Sequence, residues 1–123
     1  GGTGRDFVTS GRGDDEIDGA GGWDLLIGRL GDDTLVGRDG RDVLIGGRGE
    51  DTFVAFRGDR FADVLFDFEV GVDTLELRGF GPDAALELEV QEARTLVGVD
   101  GERVAIVNSD DFAAFTQDDV LFV

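Results

Sequence analysis

Broken every nine residues, residues 1–54 read GGTGRDFVT, SGRGDDEID, GAGGWDLLI, GRLGDDTLV, GRDGRDVLI and GGRGEDTFV. In this register the fourth column is glycine in every row: Gly4, Gly13, Gly22, Gly31, Gly40 and Gly49. The sixth column is aspartate in every row: Asp6, Asp15, Asp24, Asp33, Asp42 and Asp51. The eighth is always large and apolar, through Val8, Ile17, Leu26, Leu35, Leu44 and Phe53. The first column is glycine except for Ser10, and the second drifts. A flexible glycine-rich linker would show no such columns, and a solenoid without metal leaves the aspartate column without a reason. A short fixed period is the mark of a stacked, quasi-one-dimensional fold.

Each row divides into a six-residue turn and a three-residue strand. Glycine lets the turn take positive φ and lets neighbouring backbones approach closely. In the strand, side chains alternate, so the column-eight residue faces one way and its neighbours the other. Two rows then make one coil of 18 residues, with column eight enclosed between two strands. Six rows make about three coils, each coil stacked about 4.8 Å from the next. Row n lies beside row n+2, which pairs Asp6 with Asp24, Asp15 with Asp33, Asp24 with Asp42, and Asp33 with Asp51. Carboxylates stacked in this way repel one another unless a cation lies between them. Calcium, which takes 6–8 oxygens in a flexible shell, suits carboxylates supplemented by turn carbonyls, whereas magnesium demands a stricter octahedron.

The pattern G-G-x-G-x-D-x-U-x closely resembles the calcium-binding nonapeptide of the repeats-in-toxin family. That resemblance implies an all-β fold, a right-handed parallel β-roll capped by antiparallel C-terminal strands. It also implies that each column-six Asp donates a carboxylate oxygen and that carbonyls come from the first four columns. The implied carbonyl donors are Gly19, Gly21, Gly22, Gly28, Leu30, Gly31, Gly37, Asp39, Gly40, Gly46, Arg48 and Gly49, around four or more Ca²⁺ ions. Ala20, Arg29 and Arg38 replace glycine in column two, which is expected to hold them at negative φ. The next nine residues, AFRGDRFAD, put Arg60 in the aspartate column. In the family the last sites are often closed by acids of the exit loop, and Asp59 and Asp63 are candidates; the alternative is that both are solvated loop acids.

Residues 1–54 are thus expected to be the calcium-binding repeats, and residues 55–123 a capping segment of the same domain. Of the 21 glycines, 15 fall in the first part, while eight of the ten phenylalanines fall in the second. Residues 64–70 alternate as a half-buried strand through Phe66, Phe68 and Val70, broken by Gly71, and a second strand is expected at 74–77. LELEV at 86–90 alternates again, and TLVGV and RVAIV flank Asp100-Gly101, a hairpin-turn dipeptide. Ser109-Asp110-Asp111 has the character of a cap for one helical turn. The terminal Asp119-Val120-Leu121-Phe122-Val123 reads as an edge strand, and by resemblance also as a type I secretion signal.

Composition narrows the function classes. The 123 residues carry 28 acids against 11 Lys plus Arg, no His and no Cys, for a formal charge of −17. Nucleic-acid binding through phosphates needs a basic face and is not expected. Neither thiol nor imidazole chemistry is possible, and the paired carboxylates are already accounted for as ligands, so an enzyme is not expected. No apolar run approaches the roughly 20 residues of a transmembrane helix. Arg12-Gly13-Asp14 and Arg57-Gly58-Asp59 spell an adhesion tripeptide, but the first is a by-product of the register. Trp23, in column five, is expected to point outward.

The resemblance implies a module of a larger secreted bacterial protein, comparable to those of serralysin-type proteases, lipases and alginate epimerases. It would be exported by type I machinery, fold on calcium outside the cell and stabilise an upstream catalytic or toxin domain, as a monomer. The alternative is an accessory carbohydrate- or cell-surface-binding module, for example for polyuronates, using Arg5, Arg12, Arg29, Arg38, Arg41 and Arg48. The chain opens on Gly1 rather than Met, as expected for a piece of a longer protein.

Overall fold

A computed structural model describes residues 2–81, 83–91, 94–108 and 115–123. The six rows form β1 (Thr3–Gly4), β2 (Phe7–Thr9), β3 (Glu16–Asp18), β4 (Gly21–Gly22), β5 (Leu25–Leu30), β6 (Thr34–Val36), β7 (Val43–Arg48) and β8 (Thr52–Phe56). Beyond them come β9 (Asp63–Leu65), β10 (Thr74–Arg78), β11 (Leu86–Gln91), β12 (Arg94–Val99), β13 (Glu102–Asn108) and β14 (Val120–Phe122). The short β1 and β4 are turn segments stacked on each other, and the remaining strands build two sheets. The first has the order β11-β12-β13-β9-β7-β5-β2, the second β14-β10-β8-β6-β3.

Successive strands alternate between the sheets, and each pairs in parallel with the strand two rows on. Val8 lies beside Leu26 and Leu26 beside Leu44 in the first sheet. Ile17 lies beside Leu35 and Leu35 beside Phe53 in the second. The column-eight side chains meet between the sheets, where Leu26, Leu35, Leu44 and Phe53 have no exposed surface. Each such residue contributes roughly 1.5–3 kcal/mol of transfer free energy. They form the axis of one apolar cluster that continues through Leu65 and Leu75 to Val97, Val107 and Phe115.

The three coils of the repeat are followed by a fourth that the nine-residue register does not contain. Strand β9 continues the first sheet beside β7, and β10 continues the second beside β8. The strand expected over 64–70 stops at Leu65; Phe66 is exposed, the chain turns, and Phe68 re-enters the core against Phe53 and Phe115 at ring-centroid distances of 5.7 and 5.2 Å. The cap is antiparallel only in part. Strands β11, β12 and β13 form an antiparallel meander, but β13 joins β9 in parallel and β14 joins β10 in parallel. The Asp100-Gly101 turn closes the β12–β13 hairpin with φ of 53° and 83°, the doubly positive geometry of a type I′ turn. The helical turn expected from Ser109 lies outside the described residues.

Column two departs from expectation. Ala20, Arg29 and Arg38 have φ of 76°, 85° and 73°, not negative values. The turns of the third to sixth rows hold this position left-handed, and Gly47 provides it without a Cβ in the last row, at φ 101°. Local bonds offset the strain at two of the sites: the Ala20 N–H donates to Asp18 Oδ1 at 3.0 Å, and Arg38 Nε pairs with Asp18 at 2.7 Å. Column four is stricter, because a Cβ on Gly40, at φ 119°, would overlap the Gly22 carbonyl. Ala20→Gly is therefore expected to stabilise the calcium-loaded fold by about 1 kcal/mol, and Gly40→Ala to destabilise it by more than that. Urea unfolding midpoints of the two variants should move in opposite directions.

Candidate metal centre

The turns lie along two edges of the roll, and the column-six aspartates form a ladder along each. On one edge the Asp6 N–H donates to Asp24 Oδ1 at 2.8 Å, the Asp24 N–H to Asp42 Oδ1 at 2.8 Å, and the Asp42 N–H to Asp63 Oδ1 at 3.0 Å. On the other, the Asp15 N–H donates to Asp33 Oδ1, the Asp33 N–H to Asp51 Oδ1 and the Asp51 N–H to Asp73 Oδ1, each at 2.9 Å. All four aspartate pairs expected from the spacing are brought together. The contact is not carboxylate against carboxylate, however. In these four pairs one oxygen of each downstream Asp is bound to the amide of the coil before it, which leaves the other oxygen for a cation.

That other oxygen is the informative one. Oδ2 of Asp24, Asp33, Asp42 and Asp51 is buried and has no hydrogen-bond partner. A buried, uncompensated anionic oxygen costs several kcal/mol. The column-one glycines lie against these oxygens. A Cβ built on Gly19 would sit 2.7 Å from Asp24 Oδ2 and 2.9 Å from the Gly37 carbonyl oxygen. At Gly28 it would overlap Asp33 Oδ2 and lie 2.6 Å from the Gly46 carbonyl oxygen; at Gly37 it would overlap Asp42 Oδ2 and lie 2.8 Å from Asp63 Oδ2; at Gly46 it would overlap Asp51 Oδ2. Carboxylate and carbonyl oxygens thus converge on small spaces that a side chain would fill. The donor set is all oxygen, which suits a hard cation. Among the described residues no group of three acidic side chains converges, so carbonyls must supply most of any coordination shell.

Column three is stacked coil upon coil. The Gly13, Gly22 and Gly31 amides donate to the Leu30, Asp39 and Arg48 carbonyls at 2.9, 2.9 and 3.0 Å. Each of these carbonyls keeps a second lone pair. Gly21 pairs with Thr3 and bridges to Asp39, and the carbonyls of Gly22 and Gly31 lie against Gly40 and Gly49.

The exit-loop acids divide. Asp63 is buried in the aspartate column, 21 residues from Asp42 rather than 18. Asp59 stands beside the column, accepting a bond from the Phe61 amide at 3.4 Å. Three further acids are absent from the sequence-based set. Asp73 ends the second ladder, Asp67 accepts the Gly46 and Gly47 amides at 2.8 Å each, and Asp119 accepts the Gly71 amide at 3.1 Å. Two of the ladder ends carry a legible signal: Asp63-Val64-Leu65 repeats Asp42-Val43-Leu44, and Asp73-Thr74-Leu75 repeats Asp33-Thr34-Leu35. Only the spacing before them has changed.

Comparison with known proteins agrees with this geometry. The family model described as RTX calcium-binding nonapeptide repeat (4 copies) matches residues 1–35 and 27–65, together more than half of the chain. The chain belongs to this family of calcium-binding repeats. Among solved structures, the AlgE6R3 subunit of the Azotobacter vinelandii mannuronan C5-epimerase is 29% identical with a TM-score of 0.74, over 98% of this chain and 80% of that one. The AlgE6R2 subunit of the same organism's mannuronan C5-epimerase is 27% identical with a TM-score of 0.64, over 96% and 91%. The extracellular lipase LipA of Serratia marcescens, at 23% identity and a TM-score of 0.58, shares the fold over 95% of this chain and 21% of its own. No curated protein sequence matches significantly.

Burial sets the acid–base behaviour of the ladders. Desolvation pushes Asp42, Asp51 and Asp73 up to about 6 and Asp63 to about 9. Asp33 and Asp59 are raised by the same cause. Folded values above the unfolded 3.8 mean that protonation favours the roll when no cation is bound. That stabilisation is complete below about pH 4 and is lost as pH rises through 6 and then 9. A cation reverses the preference, since a ligating carboxylate must be ionised. With a chelator present, strand content by circular dichroism should therefore rise on acidification from pH 7.5 to 3.5. Calcium titrations should show the opposite trend, the midpoint rising as pH falls from 7.5 to 5.

Proposed function

We propose that the chain is a calcium-gated folding module of a larger secreted bacterial protein. The observation that carries this reading is the set of four buried, unpartnered Asp Oδ2 atoms beside converging carbonyls. The ions would be held by Asp24, Asp33, Asp42 and Asp51, with Asp63 and Asp73 at the far ends and Asp6 and Asp15 at the near ends. Carbonyls of Gly19, Gly21, Gly22, Gly28, Leu30, Gly31, Gly37, Asp39, Gly40, Gly46, Arg48 and Gly49 would complete the shells of about four ions or more. Each Ca²⁺ supplies two positive charges to a chain of formal charge −17. Without calcium the ladders would bury unpaired charge, so the unfolded chain is favoured; calcium binds only the folded form and draws the equilibrium toward it. Dissociation constants of about 10⁻⁴–10⁻³ M, typical of extracellular calcium modules, would leave the chain unfolded at cytosolic calcium and folded outside. This behaviour suits export as an unfolded polymer by a type I route, with the roll and its cap stabilising an upstream domain after export.

Circular dichroism with and without chelator at pH 7.5 tests this. Strand signal should appear on adding millimolar calcium and vanish with chelator; a signal indifferent to both would overturn the reading. Asp42→Asn should raise the calcium midpoint by about tenfold, the equivalent of about 1.4 kcal/mol, while Asp83→Asn, on the exposed surface, should leave it in place.

A second reading, an accessory polysaccharide-binding role, is supported by the likeness to epimerase subunits across nearly the whole chain. It is also supported by arginines without an acidic partner: Arg38 and Arg78 are the only ion-paired ones among the described residues. Calorimetric titration of the calcium-loaded module with alginate oligomers should give saturable binding, and a flat titration would overturn this role.

A further inference from the structure

The two sides of the roll differ in chemistry although they are built from the same repeat. Over the repeat rows the outward positions of the first sheet are apolar except for Thr9. Phe7, Leu25, Val43 and Val64 form one ladder along the roll axis, and Ile27 and Ile45 lie in the next. The corresponding positions of the second sheet are Glu16, Thr34, Thr52 and Thr74, and the next ladder runs Asp18, Val36, Val54 and Glu76, polar at both ends.

Charge is segregated in the same sense. Of the six arginines in residues 1–54, Arg5, Arg12, Arg29, Arg41 and Arg48 lie in or beside strands of the first sheet. Arg38 alone is on the other side, paired with Asp18. The six acids outside the aspartate column, Asp14, Glu16, Asp18, Asp32, Asp39 and Glu50, all lie in or beside strands of the second sheet. Asp14 and Asp32 there accept the backbone amides of Asp32 and Glu50, each at 2.8 Å. Over residues 1–54 a protein of formal charge −17 thus presents one largely apolar face whose flanking charges outside the aspartate column are cationic.

One rim is organised along the axis. Column five of the odd rows holds Arg5, Trp23 and Arg41, all exposed, with the Arg5 guanidinium 5.3 Å from the Trp23 ring centroid. Arg5 and Arg41 are two coils apart, about 10 Å at the usual strand spacing. Beyond Arg41 the stripe enters a cleft of about 410 Å³, where Arg41, Arg60 and Arg103 meet Phe61 beside Asp59 and Glu102. Guanidinium and aromatic groups therefore alternate along a line bordered by the Phe7–Val64 ladder.

We infer that this rim, from Arg5 through Trp23 and Arg41 to the Arg60–Arg103 cleft, is the docking track for one strand of an acidic polysaccharide. The inference rests on the polysaccharide-binding reading and assigns it a surface. A uronate ring has an apolar C–H face, which fits Trp23 and the aliphatic ladder, and an edge carboxylate, which fits a guanidinium fork. Single-stranded nucleic acid fits less well, because bases stack on successive aromatic platforms and the surface beside this track is aliphatic. An anionic bilayer would press against the wider sheet, where Glu87 and Glu89 of β11 are exposed. A second copy would bring another −17 against the first.

The experiment is titration of the calcium-loaded chain with short oligomannuronate and oligoguluronate, read by calorimetry and by fluorescence of the single tryptophan. The wild type should bind with a change in Trp23 emission. Arg5→Glu/Arg41→Glu and Trp23→Ala should each weaken binding at least fivefold, with calcium-dependent circular dichroism retained. Arg57→Glu/Arg78→Glu, a like charge change at the ends of β8 and β10 on the second sheet, should bind as the wild type. No binding by the wild type would remove the polysaccharide reading and this track with it. Binding by the wild type that Arg5→Glu/Arg41→Glu and Arg57→Glu/Arg78→Glu weaken equally would leave the reading standing and overturn the track. An unchanged Trp23 emission at saturation would also overturn it, whatever the folding of the variants. Equal or tighter binding of an oligothymidylate or of anionic vesicles would overturn the sugar assignment.

Discussion

The roll depends on one interaction, that of a buried aspartate oxygen with whatever neutralises it. Every column-six Asp from Asp24 to Asp51 uses Oδ1 to hold the amide of the preceding coil and leaves Oδ2 enclosed without a partner. The first bond fixes the stacking of coil on coil, and the second oxygen makes that stacking unfavourable unless a cation is present. Glycine at Gly19, Gly28, Gly37 and Gly46 in column one and at Gly22, Gly31, Gly40 and Gly49 in column four fits this stacking, since a Cβ there would crowd an aspartate oxygen or the neighbouring carbonyl. The hydrophobic column cannot substitute for this. It contributes one side chain per nine residues, and a core that narrow leaves little margin once backbone entropy is subtracted.

The ladders also explain the rest of the chain. Beyond residue 54 the glycine columns end and phenylalanine becomes frequent, yet the aspartate ladders each extend one rung further, to Asp63 and Asp73. The fourth coil supplies the carboxylates that face the last regular coil. The meander and β14 then extend the apolar axis, with Val107 beside Leu65, Val120 beside Leu75, and Phe68 packed against Phe115 in the same cluster. Metal chemistry and capping are thus joined at the same coil.

Much of this was legible in the amino-acid order, because the repeat encodes both periodicity and ligand type. The pairing of row n with row n+2 and the enclosure of Leu26, Leu35 and Leu44 follow directly from it. What was not legible depends on backbone detail. Nothing in Ala20, Arg29 or Arg38 announces a left-handed conformation; the turn imposes it, and glycine elsewhere in the column is the only hint. The alternation at Phe66, Phe68 and Val70 suggested a strand, but the amide of Glu69 is taken by Asp73 Oδ2, and the chain turns there. Asp63 and Asp73 were obscured by irregular spacing, although the Asp-x-apolar triplets around them match those of the repeat.

The most direct test of the dependence of the fold on cation binding is amide hydrogen exchange at the column-six positions. At pH 7.5 in millimolar calcium, the amides of Asp24, Asp33 and Asp42, which donate within the ladders, should exchange slowly as one cooperative group. In chelator at the same pH they should exchange at rates close to those of an unfolded chain. Equal protection in both conditions would mean that the ladders hold without a cation, and would contradict the account.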